Sequence, residues 1–197
     1  FDQMLFYLPL SGSTFKKVYY DALLGRAVSK FVPADDLIVP YSANSLEDAE
    51  AVIQVIKISE NELRKQQVSG FYSDIELGDP PVIENQLKET ELRLEGIAKD
   101  GQEDQYTLYE IHTDLDLEGY EDRDADGEET GIKLPYVITV AQSNQKILSI
   151  RRNYRPEEKL RKKINYFVQF KFLPGTGFYG FGLIHMIGGL TRTATAA

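Results

Sequence analysis

The clearest structural pattern in the sequence is Tyr109-Glu110-Ile111-His112-Thr113-Asp114-Leu115-Asp116-Leu117-Glu118, where apolar-leaning and polar residues alternate along all ten positions. In a strand, the odd-numbered side chains would lie on one face and the even-numbered polar side chains on the other. The pattern predicts a half-buried strand with its polar face toward solvent. Further strands are predicted at Leu134–Ala141, Lys146–Arg152 and Lys163–Leu173, and the link Gln142–Gln145 is short enough for a hairpin.

N-terminal to this region, proline and glycine residues at short intervals predict short extended segments separated by turns. These are Met4–Leu8, Lys16–Tyr20, Ala27–Val32 and Leu37–Val39.

Three helices are predicted between these segments and the strands. Ser45-Leu46-Glu47-Asp48 resembles a capping box and predicts a helix through Ile56, although Gln54–Ile58 also alternates like a short strand. A second start at Ser59 predicts a helix to about Val68 that Gly70 ends. A third helix is predicted after Asp79, with Pro80 and Pro81 in its first turn, and it would end near Glu95.

Helical and extended patterns are segregated along the chain, which favours an α+β fold with an antiparallel meander and several helices. Four segments result: short β segments at 1–43, a helical segment at 44–98, the meander with an acidic loop at 99–173, and a glycine turn with the start of a helix at 174–197.

Composition excludes several classes of site. The 197 residues contain no cysteine and two histidines, His112 and His185, so disulfides, thiolate ligands, cysteine nucleophiles and multi-histidine metal sites are excluded. One histidine flanked by carboxylates does not make a catalytic grouping, and His185 in an apolar stretch is typical of a buried, hydrogen-bonded imidazole. The sequence predicts no enzyme, no catalytic residue and no cofactor.

Charge is unevenly distributed. The net charge of −9 argues against general nucleic-acid binding, but residues 100–130 hold 13 acidic residues against one Arg, and residues 146–171 hold nine basic residues against two Glu. Opposite blocks predict complementary surfaces, within one subunit or between subunits. We expect inter-subunit contacts at Arg151, Arg152, Asp114 and Asp116.

The loop Asp122-Arg123-Asp124-Ala125-Asp126-Gly127 has the alternate carboxylates and glycine of a calcium loop, with Asp122, Asp124 and Asp126 as ligands. Lys133 stands where the loop should supply a bidentate Glu, and the flanks resemble strands. A solvated acidic loop is therefore favoured over a metal site. A calcium-stabilised binding or adhesion module is the alternative function.

Gly175-Thr176-Gly177-Phe178-Tyr179-Gly180 matches the dinucleotide pattern GxGxxG. Its strand belongs to a meander, bulky rings crowd it, and no acidic residue follows Glu158 to bind a ribose. A close chain reversal at Gly175, Gly177 and Gly180 into a packed helix is favoured. The apolar stretch Phe172–Leu190 approaches the length of a membrane span, but its proline and six glycines favour a turn and a buried helix instead.

Several runs, in this order along the chain, resemble the portal (head-to-tail connector) proteins of short-tailed bacteriophages. They are Phe15–Asp21, Phe31–Asp36, Val39–Tyr41, Val68–Tyr72, Tyr109–His112, Leu134–Thr139, Ile147–Tyr154, Pro174–His185 and Gly188–Thr191. Pro174–His185 (PGTGFYGFGLIH) is the most specific of them.

The resemblance implies a non-enzymatic subunit of a closed, usually dodecameric ring at one capsid vertex. Portals nucleate head assembly with major capsid and scaffolding proteins, dock the terminase, pass double-stranded DNA without sequence specificity and seat the tail or adaptor proteins. The expected location is the virion, and the host cytoplasm during assembly, without a membrane. Portals are much longer than this chain, which starts at Phe1 and ends within a helical pattern, so a wing fragment is expected.

Overall fold

The structure is a computed structural model that describes residues 1–21, 24–78, 105–123 and 126–196. Two antiparallel sheets and a few helices form an α+β fold, which confirms the predicted class. In chain order the elements are α1 (Asp2–Ser11), β1 (Ser13–Asp21), β2 (Arg26–Pro33), a 3-10 turn (Ala34–Asp36), β3 (Leu37–Ile38), β4 (Ala51–Ser59), α2 (Glu60–Val68), β5 (Gln105–Leu115), β6 (Leu134–Ala141), β7 (Ile147–Arg152), β8 (Phe167–Lys171) and α3 (Leu183–Ala196).

The first sheet has the strand order β2-β1-β8, and the second has the order β3-β4-β5-β6-β7. Strand β1 is central in the first sheet and pairs antiparallel with both neighbours. Its register places Lys17 opposite Lys30 on β2 and opposite Phe167 on β8. This register defines which side chains share a face of the sheet.

The chain divides into two compact units. Unit 1 comprises 1–54, 112–136 and 152–197, and unit 2 comprises 55–111 and 137–151. The core of unit 1 contains Phe15, Val32, Leu37, Ala43, Ala49, Val52, Phe167 and Phe178. The core of unit 2 contains Ile58, Leu63, Tyr72, Leu77, Tyr106, Leu108, Ala141 and Leu148.

Local signals predicted several elements correctly. Strand β6 has the predicted bounds, and a turn at Gln142–Asn144 joins it to β7. Helix α2 begins after Ser59, whose hydroxyl accepts a hydrogen bond from the Glu62 N–H, and Gly70 follows with a left-handed φ of 76°. The prediction of this helix is confirmed, because its cap and its ending were both encoded nearby.

Two predictions in the first 60 residues are wrong. Met4–Leu8 belongs to helix α1, which buries Met4 and ends where Gly12 adopts a left-handed φ of 86°. Ser45 and Asp48 hydrogen-bond to each other in a turn, and the chain then enters β4. The β-branched run of β4 pairs into a sheet, so the strand alternative at Gln54–Ile58 is the correct one. The predicted third helix lies outside the described residues.

The last predicted strand and helix also differ from expectation. Strand β8 covers Phe167–Lys171, shorter than Lys163–Leu173, because Ile164 instead donates its N–H to the Asn153 carbonyl. Helix α3 was expected to be buried, yet its described side chains are exposed. Within the described part of the chain, no helix has the length and apolarity needed to cross a membrane.

Candidate interaction surfaces

Unit 2 contains an ion pair between a buried carboxylate and a partly exposed guanidinium. The Glu110 side chain on β5 is 7% exposed, and its Oε2 lies 3.9 Å from Nη2 of Arg151 on β7. The Arg151 guanidinium also lies over the Phe71 ring, 4.3 Å from its centroid. A buried carboxylate of this kind needs its cation, because removing one partner leaves the other charge desolvated.

Polar side chains surround this pair. Burial, followed by the charge of Glu110, raises the pKa of Tyr72 to about 12, and Tyr72 hydrogen-bonds to Thr139. Thr139 is fully buried and accepts a hydrogen bond from the Ser149 hydroxyl at 3.2 Å. We call Glu110, Arg151, Phe71, Tyr72 and Thr139 the charge cluster. The Arg151 Nε is buried without a hydrogen-bond partner among the described residues.

The charge cluster corrects the predicted orientation of β5. The strand exists, but Tyr106, Leu108 and Glu110 form its buried row, whereas Tyr109 and Ile111 are half-buried. The prediction that Glu110 faces solvent is wrong. Tyr106 and Leu108 precede the quoted stretch and lie on the same face of the strand as Glu110. Their apolar character indicated that this face is the buried one. The partner that permits burial, Arg151, lies on another strand and gave no local signal.

The expected inter-subunit residues have different environments. Arg151 pairs with Glu110 and is 40% exposed, whereas Arg152, Asp114 and Asp116 are exposed. Among the described ranges, none of these last three makes an ion pair. Asp114 lies near the end of β5, and Asp116 lies directly after the last residue of that strand. Their assignment as contacts between subunits stays a prediction.

Carboxylates in and beside the acidic loop form ion pairs and hydrogen bonds with other residues of the same chain. Asp122 pairs with Arg161 and accepts a hydrogen bond from the Thr130 hydroxyl at 2.8 Å. Arg123 lies 3.2 Å from a Glu129 oxygen and 3.9 Å from a Glu121 oxygen. The Gly119 N–H donates to Glu121, which lowers the pKa of that carboxyl. The acidic loop therefore contacts the basic stretch 146–171 within one subunit, because Asp122 pairs with Arg161.

Of the three candidate calcium ligands, Asp122 and Asp126 lie within the described residues, and calcium binding by this loop stays a prediction. Asp124 lies outside the described residues, and Asp122 is already bound by a cation and a hydroxyl. Over the described ranges, no three carboxylate or imidazole groups lie close enough together to hold a metal ion.

Three glycines bring distant backbone segments of unit 1 into direct contact. A Cβ added to Gly182 would lie 2.5 Å from the Gly12 nitrogen, and a Cβ on Gly180 would lie 2.6 Å from the Gly12 oxygen. The Gly180 N–H also donates to the buried Ser13 hydroxyl at 2.7 Å. We call Gly12, Gly180 and Gly182 the glycine crossing. It joins the end of α1 to the start of α3 with no room for a side chain.

The glycine crossing explains part of the predicted turn. Gly175 is also confined, since an added Cβ would lie 2.7 Å from the Tyr179 oxygen, but nothing lies within 4 Å of a Cβ on Gly177. Backbone atoms of the same chain occupy the space beside Gly180. This close approach agrees with a chain reversal, as predicted, and leaves no cradle there for a pyrophosphate. Sequence reasoning missed Gly12 and Gly182.

Helices α1 and α3 leave apolar side chains exposed. On α3, Ile184, Met186 and Ile187 are each at least 50% exposed, and on α1 Leu5 and Phe6 exceed the same value. Leu10 of α1 and residues of α3 line one open groove in unit 1. Clustered exposed apolar side chains of this kind are typical of protein contact surfaces.

The two histidines have different environments in unit 1. His112 packs against Tyr166 and Phe167, with ring centroids 5.6 and 5.2 Å away, and is half-buried. The cavity beside it has a volume of about 20 Å³, which suits one water molecule. His185 is exposed, not buried as predicted, because α3 is exposed; its Nδ1 accepts a hydrogen bond from the Gly182 N–H at 3.1 Å.

No protein-family model matches this chain, and no curated protein sequence is significantly similar to it.

Proposed function

We propose that this chain is a structural subunit of a bacteriophage portal ring. In this role it is not an enzyme and needs no cofactor. Repeated around an axis at the capsid vertex, it forms part of the channel through which double-stranded DNA enters and leaves the head. The intact subunit also meets the terminase, the tail or adaptor proteins, and the capsid and scaffolding proteins.

The glycine crossing is the observation that carries this proposal. The most specific resembling run, Pro174–His185, supplies Gly180 and Gly182 to the crossing and then begins α3. The glycines of this run therefore have an architectural use, the placement of an exposed apolar helix, and a nucleotide is not needed to explain them. A helix with that surface is typical of a subunit that functions in an assembly.

The contacts of the basic residues and the net charge of the chain support the same proposal. Arg151, Arg161 and Lys163 all bind groups of their own subunit, since Lys163 donates to the Ala49 carbonyl at 2.8 Å. Cations used in this way are not presented as a surface for gripping DNA. A net charge of −9 repels phosphates, which suits a conduit through which DNA slides.

The test is the mass of the intact gene product that carries these 197 residues, measured by light scattering and by negative-stain imaging. We expect a closed ring of many identical subunits. A monomer at micromolar concentration, or a product with substrate turnover, would overturn the proposal. Adding calcium tests the alternative module in the same sample, since a calcium-stabilised module predicts a higher melting temperature and no ring.

A further inference from the structure

One irregular segment of unit 1 forms a closed loop with a distinct charge. The Ile164 N–H donates to the Asn153 carbonyl at 2.9 Å, so the two ends of the segment 153–164 meet. Loops of this length with joined ends, known as Ω-loops, are compact surface structures that frequently carry function. Residues 153–164, here called the basic loop, contain five basic and two acidic residues, a net charge of +3 in a chain of net charge −9.

The two ends of the basic loop are anchored to the rest of unit 1. The Asn153 N–H donates to the Pro135 carbonyl at 2.9 Å, and the Lys163 Nζ donates to the Ala49 carbonyl at 2.8 Å. Residues 155–160 between these ends are all exposed. The middle of the loop therefore depends on other contacts to stay in place.

An ion pair joins the later part of the basic loop to the acidic loop. Arg161 pairs with Asp122, and the side chains are 32% and 12% exposed, respectively. Asp122 is itself held by Thr130, whose hydroxyl donates to the Asp122 carboxylate at 2.8 Å and whose N–H donates to the Asp122 carbonyl at 2.9 Å. Asp122 is therefore an anion fixed at the start of the acidic loop, and Arg161 brings the basic loop to it.

The backbone of Arg161 is strained in this position. Its φ is 43°, in the left-handed region that residues with a side chain rarely adopt. Gln145, the other described non-glycine residue with a positive φ, lies in the hairpin turn between β6 and β7, where such angles are ordinary. Strained residues persist where the surrounding structure imposes them, and they are concentrated in binding sites and switch regions. Arg161 carries both the strain and the ion pair, so the pair stabilises a conformation that the backbone disfavours.

We propose that Arg161 and Asp122 form an electrostatic latch that holds the basic loop closed, and that screening or loss of the Asp122 charge opens it. Attraction between the two charges favours the closed loop, whereas the strain at Arg161 favours the open one. Both side chains are partly exposed, so dissolved ions weaken the attraction and leave the strain unchanged. The latch determines whether these opposite charges are satisfied within one subunit or remain available to another molecule. The inference goes beyond the proposed function and does not rest on it.

Limited trypsin cleavage of the intact gene product measures the opening of the loop. Cleavage rates follow the population of the open form when opening and closing are fast. Mass spectrometry identifies cuts at the sites within the basic loop, which are Lys159, Arg161 and Lys162.

The first comparison removes the charge of the latch at low salt. Asp122→Asn keeps an oxygen that accepts from Thr130 but carries no charge for Arg161, and we expect cleavage within the basic loop to be at least about fivefold faster than in the wild type. Asp116→Asn is the matched control, because it makes the same change in net charge at an exposed carboxylate. Its basic loop should be cleaved at the wild-type rate.

The second comparison needs no substitution to open the loop. Raising sodium chloride from about 0.05 M to about 1 M shortens the screening length to about 3 Å. We expect cleavage of the wild-type loop to accelerate, while Asp122→Asn responds little because its latch is already lost. A synthetic peptide with the sequence of residues 153–164 corrects for the effect of salt on trypsin itself.

Three results would overturn the inference. The first is equal cleavage of the basic loop in Asp122→Asn and the wild type at low salt. The second is a wild-type rate that does not change with salt after the peptide correction. The third is an equal acceleration by salt in both forms, which would indicate general loosening of unit 1. If Asp122→Asn is cleaved faster throughout unit 1, it has unfolded that unit, and the salt response of the wild type decides.

Discussion

The two units join distant parts of the chain by different chemistry. In unit 1 the glycine crossing places backbone against backbone, and its Gly180 and Gly182 N–H groups donate to the Ser13 hydroxyl and the His185 imidazole. In unit 2 the charge cluster joins β5, β7 and the segment after α2 through a carboxylate, a guanidinium and an aromatic ring. Unit 1 therefore depends on the lack of side chains at Gly12, Gly180 and Gly182, whereas unit 2 depends on the positive charge of Arg151 beside Glu110.

The largest effect is expected at the glycine crossing. Gly182→Ala places a Cβ against the Gly12 nitrogen and the Leu10 backbone, none of which can rotate away, so we expect a loss of about 4 kcal/mol in the free energy of unfolding. Urea unfolding measures it. Gly188→Ala is the control, because its Cβ meets open space within α3, and it should stabilise the chain by about 0.5–1 kcal/mol. Equal effects of the two substitutions would refute the backbone contact.

The charge cluster should respond to loss of its cation. Arg151→Met leaves the Glu110 carboxylate buried without its ion pair, and we expect a loss of about 3 kcal/mol in the free energy of unfolding. Arg152→Met, at the exposed neighbouring position, should change it by less than about 0.5 kcal/mol. Adding Glu110→Gln to Arg151→Met should recover part of the loss, since a neutral amide costs less to bury. A double variant no better than Arg151→Met would argue against a charge effect.

The pKa of Tyr72 gives unit 2 a pH dependence. Its pKa is about 12 in the fold and 10.0 in an ordinary environment, so the neutral phenol is favoured in the folded state. Its contribution to stability is complete below pH 10 and is lost as the pH rises from 10 to 12. The shift corresponds to about 2–3 kcal/mol. Unfolding midpoints measured between pH 9 and pH 12 should fall less steeply in Tyr72→Phe than in the wild type, while Tyr20→Phe, at an exposed position, should match the wild type.

The smallest effect is expected at the N-terminus of α2. Ser59→Ala removes the hydroxyl that accepts from the Glu62 N–H, which should cost unit 2 about 1 kcal/mol in urea unfolding. Ser29→Ala, on the exposed part of β2, serves as the control and should change little. If the two substitutions cost the same, the capping bond contributes nothing measurable.

The successes and failures of sequence reasoning follow the same division between local and distant contacts. Strand β6 and helix α2 were predictable because the residues that define them lie within a few positions of each other. Ser45 and Asp48, the ends of the predicted capping box, do hydrogen-bond to each other. The residues that follow form strand β4 and not a helix, because pairing in the sheet outweighs the local helix signal.

The candidate sites were harder to predict because their partners are distant in sequence. Burial of Glu110 depends on Arg151, 41 positions later, and the confinement of Gly12 depends on Gly182, 170 positions later. The run of glycines at 174–182 indicated a close approach but not which segment it approaches. Pairing of the acidic loop with Arg161 was foreseeable only as one of two options, within a subunit or between subunits.

The glycine crossing has a mechanical consequence. Because Gly182 at the start of α3 touches Gly12 without slack, and β1 begins at the next residue, a load applied along α3 passes directly to the central strand of the first sheet. Strand β1 is hydrogen-bonded on both sides, so the load spreads over two ladders at once. A push along this helix toward Gly12 therefore acts on the sheet as a whole.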